Sequence, residues 1–335
     1  MIVEEVRETI GASGLFARAA GGRPILAMLS GGRDSTCLLD VAVALLGPEW
    51  VSALHVNYGL REQADADERH CAAVCERLGV ELEVVRAERD AGSPGMPGAA
   101  GNVQAWAREL RYDAATRSAQ RRDALVATGH TASDQVETIL YRLAASPGRR
   151  ALQGMVASEG RLIRPLLGVT REQTAAYCEA QGLGWREDES NADERYARTR
   201  VRHGLLPALR AVHPAAEANV LRTAALLREE TELLDELVTG ELAGRAGIAI
   251  LRLSQLPAAL ARLVVVRLAE EAAGTYVPQA GERVEELIAL GRRGGRAELH
   301  VGGRAGAVIE DGVLTMVKLP PRAERSPAEQ PPHED

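Results

Sequence analysis

The chain has 335 residues, is 46% hydrophobic and 26% charged, and carries a formal net charge of −7 at pH 7. Such a composition suits a globular protein long enough for two domains and excludes a disordered chain, while the negative charge excludes a surface that coats nucleic acid generally. No run reaches the ~20 apolar residues of a membrane span, and the start Met1-Ile2-Val3-Glu4-Glu5 is acidic rather than a secretory leader, so a cytoplasmic protein with no membrane partner is expected.

Residues 1–20 read as a helix with Val3, Val6, Ile10 and Leu15 inward. Ile25-Leu26-Ala27-Met28-Leu29 is short enough to be a buried strand. Ser30-Gly31-Gly32-Arg33-Asp34-Ser35 is a sharp polar turn, after which Leu38, Leu39, Ala42, Leu45 and Leu46 recur at helical spacing until Gly47-Pro48. Strand, glycine loop and helix N-terminus form an anion cradle, where free N–H groups and the positive end of the helix dipole point at one spot. The run G-x-x-x-x-G-K-[ST] is missing and the only lysine is Lys318. Phosphates here must be met by amides, the hydroxyls of Ser30, Ser35 and Thr36, arginines and a metal. Asp34 inside the loop would repel a polyphosphate unless a divalent ion bridges them, which implies Mg²⁺.

Val51-Ser52-Ala53-Leu54-His55-Val56 is a second strand, followed by a loop from Asn57 to Arg61 and a helix over residues 63–78. Residues 80–86 alternate as a third strand. Residues 89–101, rich in glycine and proline, read as a loop that is either a lid or a plain surface insertion. Asn102 caps a helix bearing Arg108, Arg111 and Tyr112; residues 124–128 are a fourth strand; Gly129-His130-Thr131-Ala132-Ser133-Asp134 turns into a helix reaching about residue 145. Residues 170–181 form a helix and residues 183–186 a fifth strand. The alternation predicts an α/β fold with a five-stranded parallel doubly wound sheet. Its ligands bind at the carboxyl ends of the strands, where residues 30–35, 55–61 and 129–134 converge.

From residue 205 the pattern becomes helical, first in one run to residue 237, then near residues 256–272 and 282–290. Three short alternating segments follow, with Asp311-Gly312 as a hairpin signal. The expected domains are 1–206 for nucleotide chemistry, 207–319 as a mainly helical interaction domain with a small β meander, and 320–335 as a disordered tail. Length and apolar content of the later helices suggest a homodimer. The four cysteines, Cys37, Cys71, Cys75 and Cys178, have neither C-x-x-C nor zinc spacing and read as core thiols.

Asp134 and Glu137, at i and i+3, share a helix face; beside a phosphate loop they can hold Mg²⁺ or position a nucleophile. In isolation such a pair is a solvated helix face. His130 can polarise a substrate or serve as a structural hydrogen-bonder. In residues 187–203 an acidic half abuts a basic half; Arg198 and Arg202 at i, i+4 suit two phosphates, or a phosphate and a base. Alone, this segment would read as an exposed, charge-paired helix.

The first motif resembles the PP-loop of the ATP pyrophosphatase superfamily. Together with His55-Val56-Asn57-Tyr58-Gly59-Leu60-Arg61, Ala107-Arg108-Glu109-Leu110-Arg111-Tyr112, residues 129–138, Arg164-Pro165-Leu166-Leu167 and residues 187–207, it is similar to the tRNA(Ile)-lysidine synthetase branch in its shorter form. Tyr58 stands where that branch commonly has histidine, and Thr199 where it has asparagine. The resemblance implies ATP bound by Ser30, Gly31, Gly32, Arg33, Asp34, Ser35, His55 and Asn57, with Mg²⁺ on Asp34 and Asp134. It implies catalysis by Asp34, His130, Asp134, Glu137, Arg111 and Arg202, and RNA contacts from Arg108, Arg198 and Arg202. The implied partners are a CAU-anticodon tRNA(Ile) and free L-lysine, joined by an ATP-dependent carbon–nitrogen ligase. A tRNA thiolase of the same superfamily, which would want cysteine pairs at the site, and a non-catalytic ATP sensor are the alternatives.

Overall fold

The apolar run at residues 25–28 is buried at every position and lies inside a six-stranded sheet. The computed structural model describes residues 1–17, 21–60, 63–88, 103–145, 148–186 and 197–320. The anticipated loop at 89–101, the acidic half of the 187–203 segment and the tail beyond residue 320 lie outside the described residues. Two units partition the chain, Met1–Leu227 and Arg228–Asp335.

Along the first unit run α1 (Ile2–Ala12), β1 (Ile25–Met28), α2 (Arg33–Leu46), β2 (Val51–Asn57), α3 (Ala64–Leu78), β3 (Glu81–Arg86), α4 (Val103–Arg122), β4 (Leu125–Ala127) and α5 (Ala132–Ala145). They are followed by α6 (Arg149–Leu152), β5 (Ser158–Glu159), β6 (Leu162–Ile163), α7 (Arg171–Ala180), α8 (Ala197–Arg200), α9 (Leu206–Val212) and α10 (Ala216–Leu242), within which the unit boundary falls. The sheet order is β3-β2-β1-β4-β6-β5. Five strands are parallel, and β5 pairs antiparallel with β6 at one edge.

Alternation along β1 divides the core into two layers. Ile25, Ala27 and Leu29 face a cluster built with residues of α1, α2 and α7, while Leu26 and Met28 face Ala114, Ala115 and Ala119 of α4. Helices cover both faces, as a parallel sheet requires.

The fifth parallel strand is not the expected one. Residues 183–186 lie outside the sheet; the Arg186 N–H donates instead to the Gly31 carbonyl at 2.9 Å, and Leu183 and Trp185 pack into the α2 side of the core. The sheet is completed by β6, whose two residues are too few to show a period. The long helical run after residue 205 is also broken. His213 is extended, at φ −155° and ψ 130°, because the proline after it disfavours helical backbone.

The second unit contains β7 (Gly247–Ala249), α11 (Ile250–Gln255), α12 (Ala258–Ala273), α13 (Val284–Arg292), β8 (Ala297–Gly302), β9 (Ala305–Glu310) and β10 (Val313–Lys318). Its antiparallel sheet, ordered β7-β10-β9-β8, packs with the buried face of α12. Asp311 and Gly312 both have positive φ, 50° and 73°, the geometry of a two-residue hairpin turn whose twist matches its strands. β7, three residues long, gives no sequence signal.

Tyr177 of α7 is fully buried, and its hydroxyl donates to Asp40 of α2 while accepting from Arg7 Nε of α1 at 3.2 Å. The three helices of this layer are thus tied through one phenol. Tyr177→Phe leaves a buried carboxylate short of a donor and is expected to lower stability by about 1–3 kcal/mol, read as an earlier urea-unfolding midpoint; an unchanged midpoint would show that the phenol is not part of the tie.

Candidate active site

The glycine loop is held from within. Gly31 has φ 84°, a left-handed conformation that favours glycine, and a Cβ there would meet Cys71 Sγ at 3.3 Å. The Ser35 hydroxyl donates to the Gly32 carbonyl at 2.9 Å and accepts the Ser30 N–H at 3.2 Å, while the Ser30 and Ser35 hydroxyls lie 3.1 Å apart. Gly32 is the N-cap of α2 and supplies no side chain to cap it, so backbone donors of the first turn are left for a ligand. Gly129, after β4, approaches so closely that a Cβ would lie 3.1 Å from Ser35 N and 3.3 Å from the Asp34 carbonyl oxygen. The loop after β4 and the first turn of α2 therefore meet backbone to backbone.

Three carboxylates gather at this junction: Asp34 from α2, and Asp134 and Glu137 from α5. Arg171, the first residue of α7, reaches all three. Its Nη2 donates to Asp134 Oδ1 at 2.9 Å, its Nη1 to Glu137 Oε1 at 3.2 Å, and its Nε lies 3.7 Å from Asp34 Oδ2. Thr170 fixes that position by capping α7 in a reciprocal box with Gln173. Thr174, one turn on, donates its hydroxyl to Asp34 Oδ1. Arg202 forks onto the fully buried Glu137, at 2.7 Å and 3.0 Å. Arg198 donates to Thr138 at 3.0 Å. Sequence reasoning brought out Arg198 and Arg202 but missed Arg171 and Thr174. A guanidinium in the first turn of a helix opposes the helix dipole, and that unfavourable placement was the available signal for a nearby anionic partner.

The site tunes its own protonation. Burial pushes the Asp34 carboxyl above its usual value, and neighbouring Asp134 adds to this against the pull of Thr174 and Arg171. Burial would also raise Asp134, but Arg171, then the N–H and hydroxyl of Thr131, and Arg198 outweigh it and hold the group below the usual carboxylate range. His130, with Nδ1 2.9 Å from the Thr128 hydroxyl, is pushed down to about 4, chiefly by burial, with Arg198, Arg164 and Arg111 adding to it against the pull of Asp134. It is therefore a neutral imidazole near pH 7, able to donate or accept a hydrogen bond.

His55 and Asn57 sit at the carboxyl end of β2, but both side chains are already engaged. His55 is buried, with Nδ1 2.9 Å from the Leu29 carbonyl and 3.3 Å from Cys71 Sγ. Asn57 donates to Asp65 and Glu68 at 3.2 Å and 2.9 Å, and its oxygen accepts the Gly59 N–H at 2.9 Å. They brace the loops on either side of the junction. Arg33 lies beside Asp34, its Nε 3.8 Å from Oδ1. Arg108 and Arg111 flank the Tyr112 ring on α4, their guanidinium carbons 4.8 Å and 5.7 Å from its centre. All four cysteines are buried and free.

A glycine loop opening a helix beneath converging carboxylates and arginines, at the carboxyl ends of a parallel sheet, defines an α/β domain for phosphate-bearing ligands. The PP-loop domain model matches residues 7–209, and the chain belongs to that family. Among curated relatives, the tRNA(Ile)-lysidine synthase of Pseudomonas fluorescens is 44% identical over 215 residues, covering 62% of this chain and 47% of that protein. That of Pseudomonas aeruginosa is 40% identical over 232 residues, covering 67% and 50%, and that of Yersinia pestis 37% over 236 residues, covering 68% and 50%. The chain spans about half the length of the curated relatives it matches. Among solved structures, a U34-tRNA thiolase, NcsA from Methanococcus maripaludis, shares the fold at a TM-score of 0.56 and 16% identity, over 68% of this chain and 79% of that one. No helix among the described residues is long and apolar enough to cross a membrane.

The His130 imidazole is expected to titrate near 4 in an NMR pH series. Because its folded pKa lies below the unfolded value of 6.5, the unfolded chain takes up a proton that the folded one refuses. This contribution to stability is complete above pH 6.5, falls as the pH drops towards about 4, and totals on the order of 3 kcal/mol. A midpoint near 6.5 would contradict the neutral assignment.

Proposed function

We propose that this chain catalyses ATP-dependent attachment of lysine to C2 of the wobble cytidine in a CAU-anticodon tRNA(Ile). The observation that carries the reading is the meeting of Asp34, Asp134 and Glu137 around Arg171 at the glycine loop, in a chain 44% identical over 215 residues to a relative named tRNA(Ile)-lysidine synthase. ATP lies along Ser30, Gly31, Gly32, Arg33, Asp34 and Ser35, its phosphates on the open N–H groups of α2. The C2 oxygen of cytidine attacks the α-phosphorus, and the bond to pyrophosphate breaks. The ε-amine of lysine then attacks C2, the C2–O bond breaks so that the oxygen departs as part of AMP, and the amine gives up its proton.

For Mg²⁺, Asp34 offers the open oxygen, Oδ2, with Arg171 only at 3.7 Å, whereas Asp134 accepts from Arg171 on Oδ1 and from Thr131 on Oδ2; the ion is commonly held by one or two carboxylates together with substrate phosphates. Asp34 and Asp134 would hold it, and it would neutralise the charge that develops on pyrophosphate. The chain's own residues do the rest. Arg202 and Arg171 fix the fully buried Glu137 between them, and Arg171 fixes Asp134 beside it. Neutral His130 offers a hydrogen bond without adding charge. Arg111 and Arg198 meet RNA phosphate or the activated base, Arg108 the RNA beyond it. The cytidine must leave its stack to reach the loop. The segment from residue 207 onward serves tRNA binding, in the cytoplasm.

The test is ATP-dependent incorporation of labelled lysine into a CAU-anticodon tRNA(Ile), against the same RNA with uridine at the wobble position. Incorporation into the first alone, abolished in Asp34→Ala, is the expected result. Pyrophosphate release without incorporation would overturn the identity of the amine, and silence in both assays would overturn the reading in favour of an ATP sensor. The thiolase alternative gains nothing from the cysteines, all of which are buried. A homodimer is part of the same proposal, supported by Leu226, Leu233 and Leu237 of α10, which are 53%, 58% and 48% exposed; sedimentation showing a single species at the chain mass of 35.8 kDa would remove it.

A further inference from the structure

The chain has ten aromatic residues (Trp 3, Tyr 6, Phe 1), and three of them, none buried, form a connected patch, with Tyr58 also packed against the α4 layer of the core. Tyr58, just past the carboxyl end of β2, meets Trp106 of α4 edge to face, with ring centres 6.1 Å apart. Arg111 lies within electrostatic reach of the Tyr58 hydroxyl and of His130. Arg111 and Arg108 both stand over the Tyr112 ring. Two aromatic rings, Trp106 and Tyr58, thus lie on one side of Arg111, and the Tyr112 ring with Arg108 on the other, with Arg111 the member nearest the His130 end of the site.

The way α4 is built explains why this patch is not buried. The helix has 20 residues, about 30 Å at 1.5 Å per residue, while β1 and β4 beneath it have four and three residues, roughly 10–13 Å. All four of its fully buried residues, Ala114, Ala115, Ser118 and Ala119, lie in its second half. The first half therefore overhangs the carboxyl ends of the strands, and Trp106, Arg108, Arg111 and Tyr112 sit on that overhang with none of them buried.

We propose that this overhang is a stacking platform for unpaired bases of RNA, taking the nucleotides next to the one that enters the active site. The inference rests on the functional reading above for its substrate. Aromatic rings and guanidinium planes stack on any base, and the same arginines answer the phosphates that follow it. The positive charge of Arg108 and Arg111 is complementary to an RNA backbone and has no value for a hydrophobic protein partner.

The test measures binding of a labelled CAU-anticodon stem-loop RNA and, separately, of ATP to the full chain and to Trp106→Leu, Trp106→Phe and Tyr112→Leu. Trp106→Leu and Tyr112→Leu are expected to weaken RNA binding about 5- to 100-fold, with Trp106→Phe keeping most of it and ATP affinity unchanged throughout. RNA should also quench a component of the tryptophan emission that Trp106→Phe lacks. Wild-type RNA affinity in Trp106→Leu, equal losses in the Phe and Leu variants, or a loss of ATP affinity instead, which would make the patch an adenine site, each overturns the proposal. Thermal melting confirms that the variants fold. Lysine incorporation that is indifferent to Trp106→Leu would sink the platform and leave the enzyme reading standing. RNA binding that depends on Trp106 in a protein that never incorporates lysine would do the reverse.

Discussion

One guanidinium, that of Arg171, allows three carboxylates to share a space in which like charges would otherwise repel and at least one would take up a proton. Asp34 comes from the helix after β1, Asp134 and Glu137 from the helix after β4, and Arg171 from the start of α7. The position of the guanidinium depends on the cap formed by Thr170 and Gln173, and on the packing of α7 into the layer with α1 and α2. The chemistry of the site is thus anchored in apolar burial some distance away, on the opposite side of the sheet from α4. Removing one member of such a buried set leaves the others uncompensated, which is costlier than the set is worth as a whole.

The stretch bearing Arg198 and Arg202 is docked on α5 in two ways at once. Val201, Leu206 and Leu209 join a small apolar cluster with Val136 and Leu140, while the two arginines reach Thr138 and Glu137 on the same helix. A regular α-helix would struggle to present both groups to one neighbour. Between α8 and α9 lies a π-helical turn, Val201–Leu205, which widens the spacing and shifts the phase of the side chains. Such turns are uncommon and cluster at functional sites.

Much of the fold could be read from the chain because its signals are local. Four strands, their crossover helices and the Asp311-Gly312 turn follow from apolar runs, glycines and a two-residue dipeptide. β6 escaped because two residues carry no period, and residues 183–186 misled because their apolar side chains are indeed buried, only against helices rather than in the sheet. The candidate site divides in the same way. The glycine loop, Asp134, Glu137 and the arginines of 198–202 stand in motifs. Arg171 and Thr174 gain their meaning only from the packing of α7, which brings them to residues far away in the chain. His55 and Asn57 lie at the right strand end, yet the hydrogen bonds that occupy them come from Leu29, Asp65 and Glu68, partners no spacing rule names.

Every cation described at the site is an arginine, and the first unit contains no lysine, the chain's single one being Lys318 on β10. A guanidinium stays charged at any pH a cell meets and is a poor nucleophile, whereas a lysine amine is readily acylated. The walls of this site therefore hold a fixed positive charge that acetylation has no group to remove. They also present no primary amine of their own to an activated electrophile generated between them.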